Sequence, residues 1–268
     1  MAKFKFACHL IQFAGEERQN PEKVLREVAE AGWEGVEALA PGSADELVQL
    51  ATLARRFGLH VVNAGSRTGQ PLDAIKFNIT LGNDAAEVPA RRRGEWGGPD
   101  PSDADFERAA RSLDEALAFC VQHHVKGFHH AHLGTMIETV DDAEKLLAAA
   151  PDLWLLFDTG HMLAARSDPM RVFQSPRLRQ RIGHVHLKDT NADDPATWSH
   201  RTQKFGEKAR FAEFGAGNFG LDVKAVLTGL EAIGYDGWVS AELDRPYPPK
   251  PAAEAARANR EYLRKLGY

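Results

Sequence analysis

Short apolar runs along this chain alternate with longer stretches in which apolar residues recur every three or four positions. The clearest run is LWLLFDTGH at 153–161, where Leu153, Trp154, Leu155, Leu156 and Phe157 lead straight into Asp158, Thr159, Gly160 and His161. A continuous apolar run that stops abruptly at polar residues marks a buried parallel strand. In α/β enzymes the carboxyl end of such a strand is where the chemistry sits. Further strands are expected at Phe4–His9, Gly35–Leu39, Leu59–Ala64, Ala86–Ala90, Val125–His130, Ile182–Leu187 and Trp238–Leu243.

Helical periodicity fills the intervals. Pro21 to Gly32 has Asn20 as an N-cap and an apolar stripe of Val24, Leu25, Val28 and Ala29. Ser43 caps Asp45 to Phe57, and Gly58 closes that helix. Helices are also expected from Ser102 or Asp103 to Gln122, over Asp141–Ala150, from Pro169, over Leu221–Ile233 and over Ala252–Leu266. The segment 71–81 contains IKFNITL, whose composition suits a strand. Yet Leu72, Ile75 and Ile79 share one helical face and Gly82-Asn83 reads as a helix stop, so a helix is predicted. Ala86–Ala90 is then the fourth strand, which Pro89 confines to an edge or an end.

Eight strand–helix units favour a closed (β/α)8 barrel over a doubly wound sheet. No linker or shift in composition interrupts them, so residues 1–268 read as a single domain. The stretch from Asp189 to Phe219 shows no clear periodicity, and loops this long in compact domains are functional or disordered. Trp198 and Phe205 within it are expected to be exposed, covering the site or touching a partner subunit in a homo-oligomer. Loop side chains at 94–101 and 190–219 would set the choice of substrate.

Composition narrows the function classes. With 43% hydrophobic and 26% charged residues the chain is an ordinary globular sequence. Net charge is −5 with both signs spread along the chain, so nucleic acid is not an expected partner. Arg91-Arg92-Arg93 reads as a solvated loop rather than an anion contact. No window approaches the roughly 20 apolar residues of a membrane span. The start, MAKFKFACHLIQF, has no long apolar region and no cleavage pattern, which reads as no signal peptide and a cytoplasmic protein. Cys8 and Cys120 suggest neither a disulfide framework nor a Cys-type zinc site. No G-x-G-x-x-G follows the first strand and no Walker sequence is present, against a nucleotide cofactor.

The candidate chemistry lies at the strand ends. The fifth strand ends in His129, His130, Ala131, His132, and the sixth in Asp158 and His161. The seventh carries His184 and His186, then Lys188 and Asp189; the eighth carries Glu242, then Asp244 and Arg245. Imidazoles and carboxylates on one rim suit Mn²⁺, Co²⁺, Zn²⁺ or Mg²⁺. Each residue also has a plainer reading. An Asp after a strand is more often an N-cap than a ligand. His184 or His186 suits a satisfied barrel-interior histidine, and His186, nearer the carboxyl end, is the better ligand. Glu242 alternatively pairs with Arg245, and Asp189 and Asp244 cap loops. His123-His124 sit at a helix end and favour its dipole, and His200 carries no assignment. The set is stronger than its members, because unrelated roles would not place all of them at strand ends.

FDTGH at 157–161, HVHLKD at 184–189 and AEL at 241–243 resemble the xylose-isomerase-like barrel superfamily of sugar isomerases and epimerases. GAGNFGLD at 215–222 is similar to that superfamily's late Gly-rich loop, and HAHLGTMIET at 130–139 resembles the inosose (2-keto-myo-inositol) dehydratases. The likeness runs from about Ser102 to the C-terminus. It implies Asp158, His186 and Glu242 as metal ligands. Superfamily members commonly carry a further Glu at the end of the fifth strand; here His130 stands near that point, and the nearest Glu is Glu138 in the following loop. Glu138 is therefore taken as the fourth ligand, with His130 as the alternative. His161 and Lys188 are expected to contact substrate oxygens, and His130 and His132 to serve as general acid and base.

The implied activity is a metal-dependent dehydratase, a lyase taking a keto-polyol or keto-sugar through α-proton abstraction and an enediolate. Mn²⁺ or Co²⁺ is the first expectation for the metal, with Mg²⁺ or Zn²⁺ behind them. A sugar isomerase or epimerase would use the same site, as would the elimination of an aglycone from a 3-keto glycoside. A barrel that binds sugar without catalysis is a further alternative. A metal-dependent endonuclease on this fold is disfavoured by the acidic balance.

Overall fold

The computed structural model describes residues 4–13, 15, 19–88 and 100–268. Its strands are β1 (Lys5–His9), β2 (Gly35–Glu37), β3 (His60–Val61), β4 (Ala85–Glu87), β5 (Lys126–His130), β6 (Trp154–Asp158) and β7 (Ile182–Leu187). A hairpin of β8 (Asp189–Ala192) and β9 (Ala209–Ala212) follows, then β10 (Trp238–Ala241). Eight of these form one parallel sheet in the order β3-β2-β1-β10-β7-β6-β5-β4. β3 and β4 therefore stand at its two ends, although they are successive in the chain. Side chains bridge them: Asn83 Nδ2 donates to Val61 O at 3.1 Å, and Asn63 Oδ1 accepts from Glu87 N at 3.3 Å. The sheet is curled into a (β/α)8 barrel, as the alternation predicts.

The helices form where caps and stripes place them. In α1 (Pro21–Ala31), Asn20 accepts from Lys23 N at 3.1 Å and Gly32 ends the helix at φ 88°. In α2 (Ala44–Arg56), Ser43 accepts from Glu46 N at 3.1 Å. The ambiguous segment is helical, α3 (Asp73–Leu81), and Gly82 stops it at φ 78°. The buried Asn78 explains its mixed appearance, since its amide bonds both the N and the O of Ala64 on the preceding strand's exit. α4 (Asp103–Gln122) and α5 (Val140–Ala149) follow, and α6 (Thr159–Ala164) starts directly at the end of β6. The remaining helices are α7 (Arg171–Gln174), α8 (Pro176–Arg179), α9 (Val223–Ala232) and α10 (Ala252–Lys265). Among the described residues, no helix is long and apolar enough to cross a membrane.

Three expectations change. β2, β3 and β4 are shorter than their apolar patterns suggest, ending at Glu37, Val61 and Glu87. Pro89, Ala90 and Arg91-Arg92-Arg93 lie outside the described residues. The stretch after β7 is also ordered: β8 and β9 pair antiparallel with Thr190 opposite Phe211. Trp198 is buried rather than exposed, its indole N–H donating to Ala164 O of α6 at 2.7 Å. It anchors a small apolar cluster with Ala192 and Ala209, and Phe205 packs between Trp198 and Phe211. The insertion folds back over the barrel mouth instead of reaching outward.

Candidate metal centre

β5, β6, β7 and β10 are neighbours, so their carboxyl ends deliver side chains to one place. Register sets Asp158 beside His186, and His186 beside Ser240, which shortly precedes Glu242 in the chain. His130, Asp158, His186 and Glu242 each offer a donor atom, and these four atoms lie within 4.8 Å of one another. His130 Nε2 is 3.3 Å from Asp158 Oδ2. His186 Nδ1 is 2.6 Å from Glu242 Oε2 and 3.5 Å from Asp158 Oδ2, without the alignment of a hydrogen bond to either. His186 Nδ1 and Glu242 Oε2, buried side by side without a hydrogen bond, fit a divalent cation.

The charges at Asp158, Glu242 and His130 point the same way, and His186 is the exception. Burial would raise the Asp158 carboxyl, but Lys188 and His161 outweigh it and hold it well below the usual carboxylate range. Glu242 lies low for the same reason, burial being overcome by Lys188, His9 and His186. Burial alone would depress His186, but Glu37 and Glu242 push it well above the ordinary histidine value. Burial drives His130 down to about 3 despite its contact with Asp158, so its ring is neutral. Ionised carboxylates and a neutral imidazole are the protonation states that a metal ligand needs.

Asp158 has two functions at once. Its Oδ1 accepts from His161 N at 2.8 Å, capping α6, and its Oδ2 faces the cluster. The N-cap and ligand readings are therefore compatible. That cap places His161 one turn on. Lys188 Nζ lies 3.3 Å from His161 Nε2, 2.8 Å from Glu242 Oε1 and 3.4 Å from Asp244 Oδ1. Phe211, delivered by the hairpin, covers that ammonium with its ring centre 3.9 Å away. The His161 and His132 rings lie 3.6 Å apart. His132 Nδ1 is 2.6 Å from Leu133 O, and a carbonyl only accepts, so Nδ1 carries the proton and the neutral ring keeps a bare Nε2.

Glu138 is not brought into this group, which corrects its expected place as fourth ligand. It sits beyond the turn closed by His132 N to Ile137 O, and its Oε1 accepts from Gly134 N at 2.7 Å. Its Oε2 faces His200 Nε2 at 3.4 Å. His130, the alternative, takes the fourth corner. Two plainer readings hold elsewhere. His184 is a satisfied interior histidine, bonded to Glu37 and stacked on Phe128 at 5.4 Å. Asp189 caps its loop, accepting from Thr190 N, Gly215 N and Gly217 N.

The other half of the mouth was missed from sequence. Glu37 at the end of β2 is buried, with Oε2 2.8 Å from His184 Nε2 and Oε1 2.9 Å from His186 Nε2. Asn63 Nδ2 donates to Glu37 Oε1 at 2.7 Å. His9 ends β1 with its ring 5.3 Å from that of His186. Glu87 ends β4, and burial pushes its carboxyl up to about 7. The signal was present: each is a polar residue closing a short apolar strand, the rule that found the other four strands.

Comparison with known proteins agrees with this fold. The family model described as the xylose isomerase-like TIM barrel matches residues 25–266. The chain belongs to this family. A protein named inosose dehydratase from Lacticaseibacillus casei is 30% identical over 171 residues, 62% of this chain and 56% of that protein. Another of that name, from Mesomycoplasma hyopneumoniae, is 26% identical over 91% of this chain and 88% of its own. The chain spans about 55% of the length of the curated relatives first matched, those of Clostridium tetani and Lacticaseibacillus casei. Among solved structures, a xylose isomerase domain protein from Alicyclobacillus acidocaldarius superposes with a TM-score of 0.72 at 18% identity, over 98% of each chain, a likeness of fold.

Proposed function

We propose that the chain is a metal-dependent dehydratase acting on a keto-polyol or keto-sugar, with inosose the first candidate. The observation that carries this is the convergence of His130, Asp158, His186 and Glu242 on one point, with the His132 and His161 rings in contact beside it. The similarity to proteins named inosose dehydratase supports the choice of substrate class. His130, Asp158, His186 and Glu242 would hold Mn²⁺ or Co²⁺, with Zn²⁺ or Mg²⁺ behind them. Such a cation, when bound, supplies Lewis-acid polarisation of a ketone.

The chain's own groups do the rest. The bare Nε2 of His132 takes the proton from the carbon beside the ketone. The Lys188 ammonium, shielded by Phe211, holds the negative charge that then develops on oxygen. His161, kept neutral by burial and by Lys188, orients a substrate hydroxyl. The imidazolium of His132 returns its proton to the β-hydroxyl. The C–O bond breaks, water leaves and a C=C bond forms, with no change of oxidation state. Phe211, Phe205 and Trp198 in the insertion keep bulk water from the mouth.

The test is incubation of Mn²⁺-loaded protein with 2-keto-myo-inositol in D₂O. A rising conjugated-enone absorbance is expected. Absence of both the enone and exchange of the α-hydrogen would refute the reading. Exchange without enone would assign an isomerase or epimerase, which differs only in where the enediolate is reprotonated.

A further inference from the structure

We infer that Glu37 is a positioning residue that fixes which nitrogen of His186 faces the metal cluster. The inference rests on the metal-site reading above and concerns a residue outside the four ligands. Glu37 comes from β2, on the far side of β1 and β10 from β7. Its two carboxylate oxygens are divided between two rings of one strand: Oε2 to His184 Nε2 at 2.8 Å and Oε1 to His186 Nε2 at 2.9 Å. A carboxylate only accepts, so both rings donate from Nε2. With its proton held there, His186 presents Nδ1 to Asp158 and Glu242.

The arrangement is itself held. Asn63 Nδ2 donates to Glu37 Oε1 at 2.7 Å, and Asn63 Oδ1 accepts from Glu87 N. The same asparagine therefore bridges the β3–β4 seam and orients the carboxylate. His184 is kept in place by Phe128 at 5.4 Å and by Ser240 Oγ at 3.4 Å. No water is needed to explain any of these contacts, and all the groups are buried or half-buried. A carboxylate behind a metal-binding imidazole both selects its tautomer and strengthens it as a donor. Glu37→Gln retains the shape but presents one acceptor and one donor, so one of the two rings loses its partner.

The experiment compares wild type with Glu37→Gln using Zn²⁺ in competition with a chromogenic chelator. The variant should bind Zn²⁺ roughly 10–100-fold more weakly, the usual effect of removing such a partner. Its melting temperature without metal reports any general loss of packing, which would not by itself change affinity for Zn²⁺ at temperatures where the fold is intact. Equal affinity in the two proteins overturns the inference and leaves the metal site standing. A wild type that takes up no Zn²⁺ overturns both. Should the variant fail to fold, imidazole ¹⁵N spectra of Zn²⁺-loaded wild type decide: His186 must show metal at Nδ1 and a proton at Nε2. Metal at Nε2 refutes the inference.

Discussion

Replacing Asp158 with Asn separates an enzyme-type metal centre from a barrel that merely contains these residues. The change keeps size and keeps an N-cap oxygen for His161 N, because Asn caps helices about as well as Asp. What it removes is one negative charge facing His130 at 3.3 Å, His186 at 3.5 Å and Lys188 at 3.7 Å. Lys188 retains Glu242 at 2.8 Å, so the loss is of charge-assisted contacts rather than a stranded buried cation. The cost in stability is expected at about 1.5–3 kcal/mol. Outer-shell changes at metal sites lower affinity roughly 10–100-fold, so losing a ligand charge should exceed that range. Mn²⁺ at a hundred times its dissociation constant adds about 2.7 kcal/mol to the wild type. For a chain of this size that corresponds to a rise of roughly 5–10 °C in melting temperature. Thermal unfolding of both proteins, with Mn²⁺ and with chelator, reads this directly. The wild type should show the rise and Asp158→Asn should not. A variant that keeps the Mn²⁺-dependent rise would refute the assignment of Asp158 as a ligand.

Glu138→Gln should leave Mn²⁺ affinity within about twofold of wild type, since its carboxylate faces Gly134 N and His200 rather than the cluster; a chelator competition assay checks this, and a loss like that of Asp158→Asn would restore Glu138 as a ligand. Burial pushes the Cys8 thiol up to about 12 and Cys120 to about 11, so both remain thiols at pH 8; mass spectrometry should find neither alkylated by iodoacetamide until denaturant is added. Trp198→Ala removes the indole anchoring the insertion to α6, a loss of roughly 3–5 kcal/mol by comparison with other buried aromatics; limited proteolysis should then cut within 193–208 where the wild type resists. Asp158, Glu37 and Glu242 all titrate below their unfolded values, so the stability they contribute is present above about pH 4 and is lost as pH falls through their folded values. Acid unfolding followed by circular dichroism should therefore be shallower in Asp158→Asn than in wild type.

The half of the site that sequence revealed is the half in which long apolar strands run into polar residues. LWLLFDTGH ends on Asp158 and IGHVHL runs to Lys188, so both the strand and its terminal chemistry were legible. β2, β3 and β4 hold two or three residues each, and Glu37, Asn63 and Glu87 read from sequence as positions within short strands with no chemical role. The choice between His130 and Glu138 was not legible for another reason. His130 ends β5 and Glu138 lies in the loop after it, and only the turn at 132–137 decides which one points inward. Trp198 was misjudged because burial in an aperiodic segment depends on what that segment folds against, here α6, and leaves no periodic trace.

The site's charges also explain how the barrel tolerates so many buried acids, and what must happen when a cation arrives. Glu37, Asp158 and Glu242 are buried and ionised, and without metal they are balanced by Lys188 and by His186, whose ring is held cationic between Glu37 and Glu242. A cation at the cluster needs the lone pair of His186 Nδ1, and so must displace the proton from that nitrogen while Nε2 keeps its own against Glu37. The same carboxylates that attract the metal thus strengthen its competitor. Uptake must then release a proton, and metal affinity must fall as pH drops below the raised value of His186. Calorimetry in buffers of different ionisation enthalpy counts that proton. Uptake without proton release at neutral pH would mean that His186 is not the ligand the cluster geometry makes it.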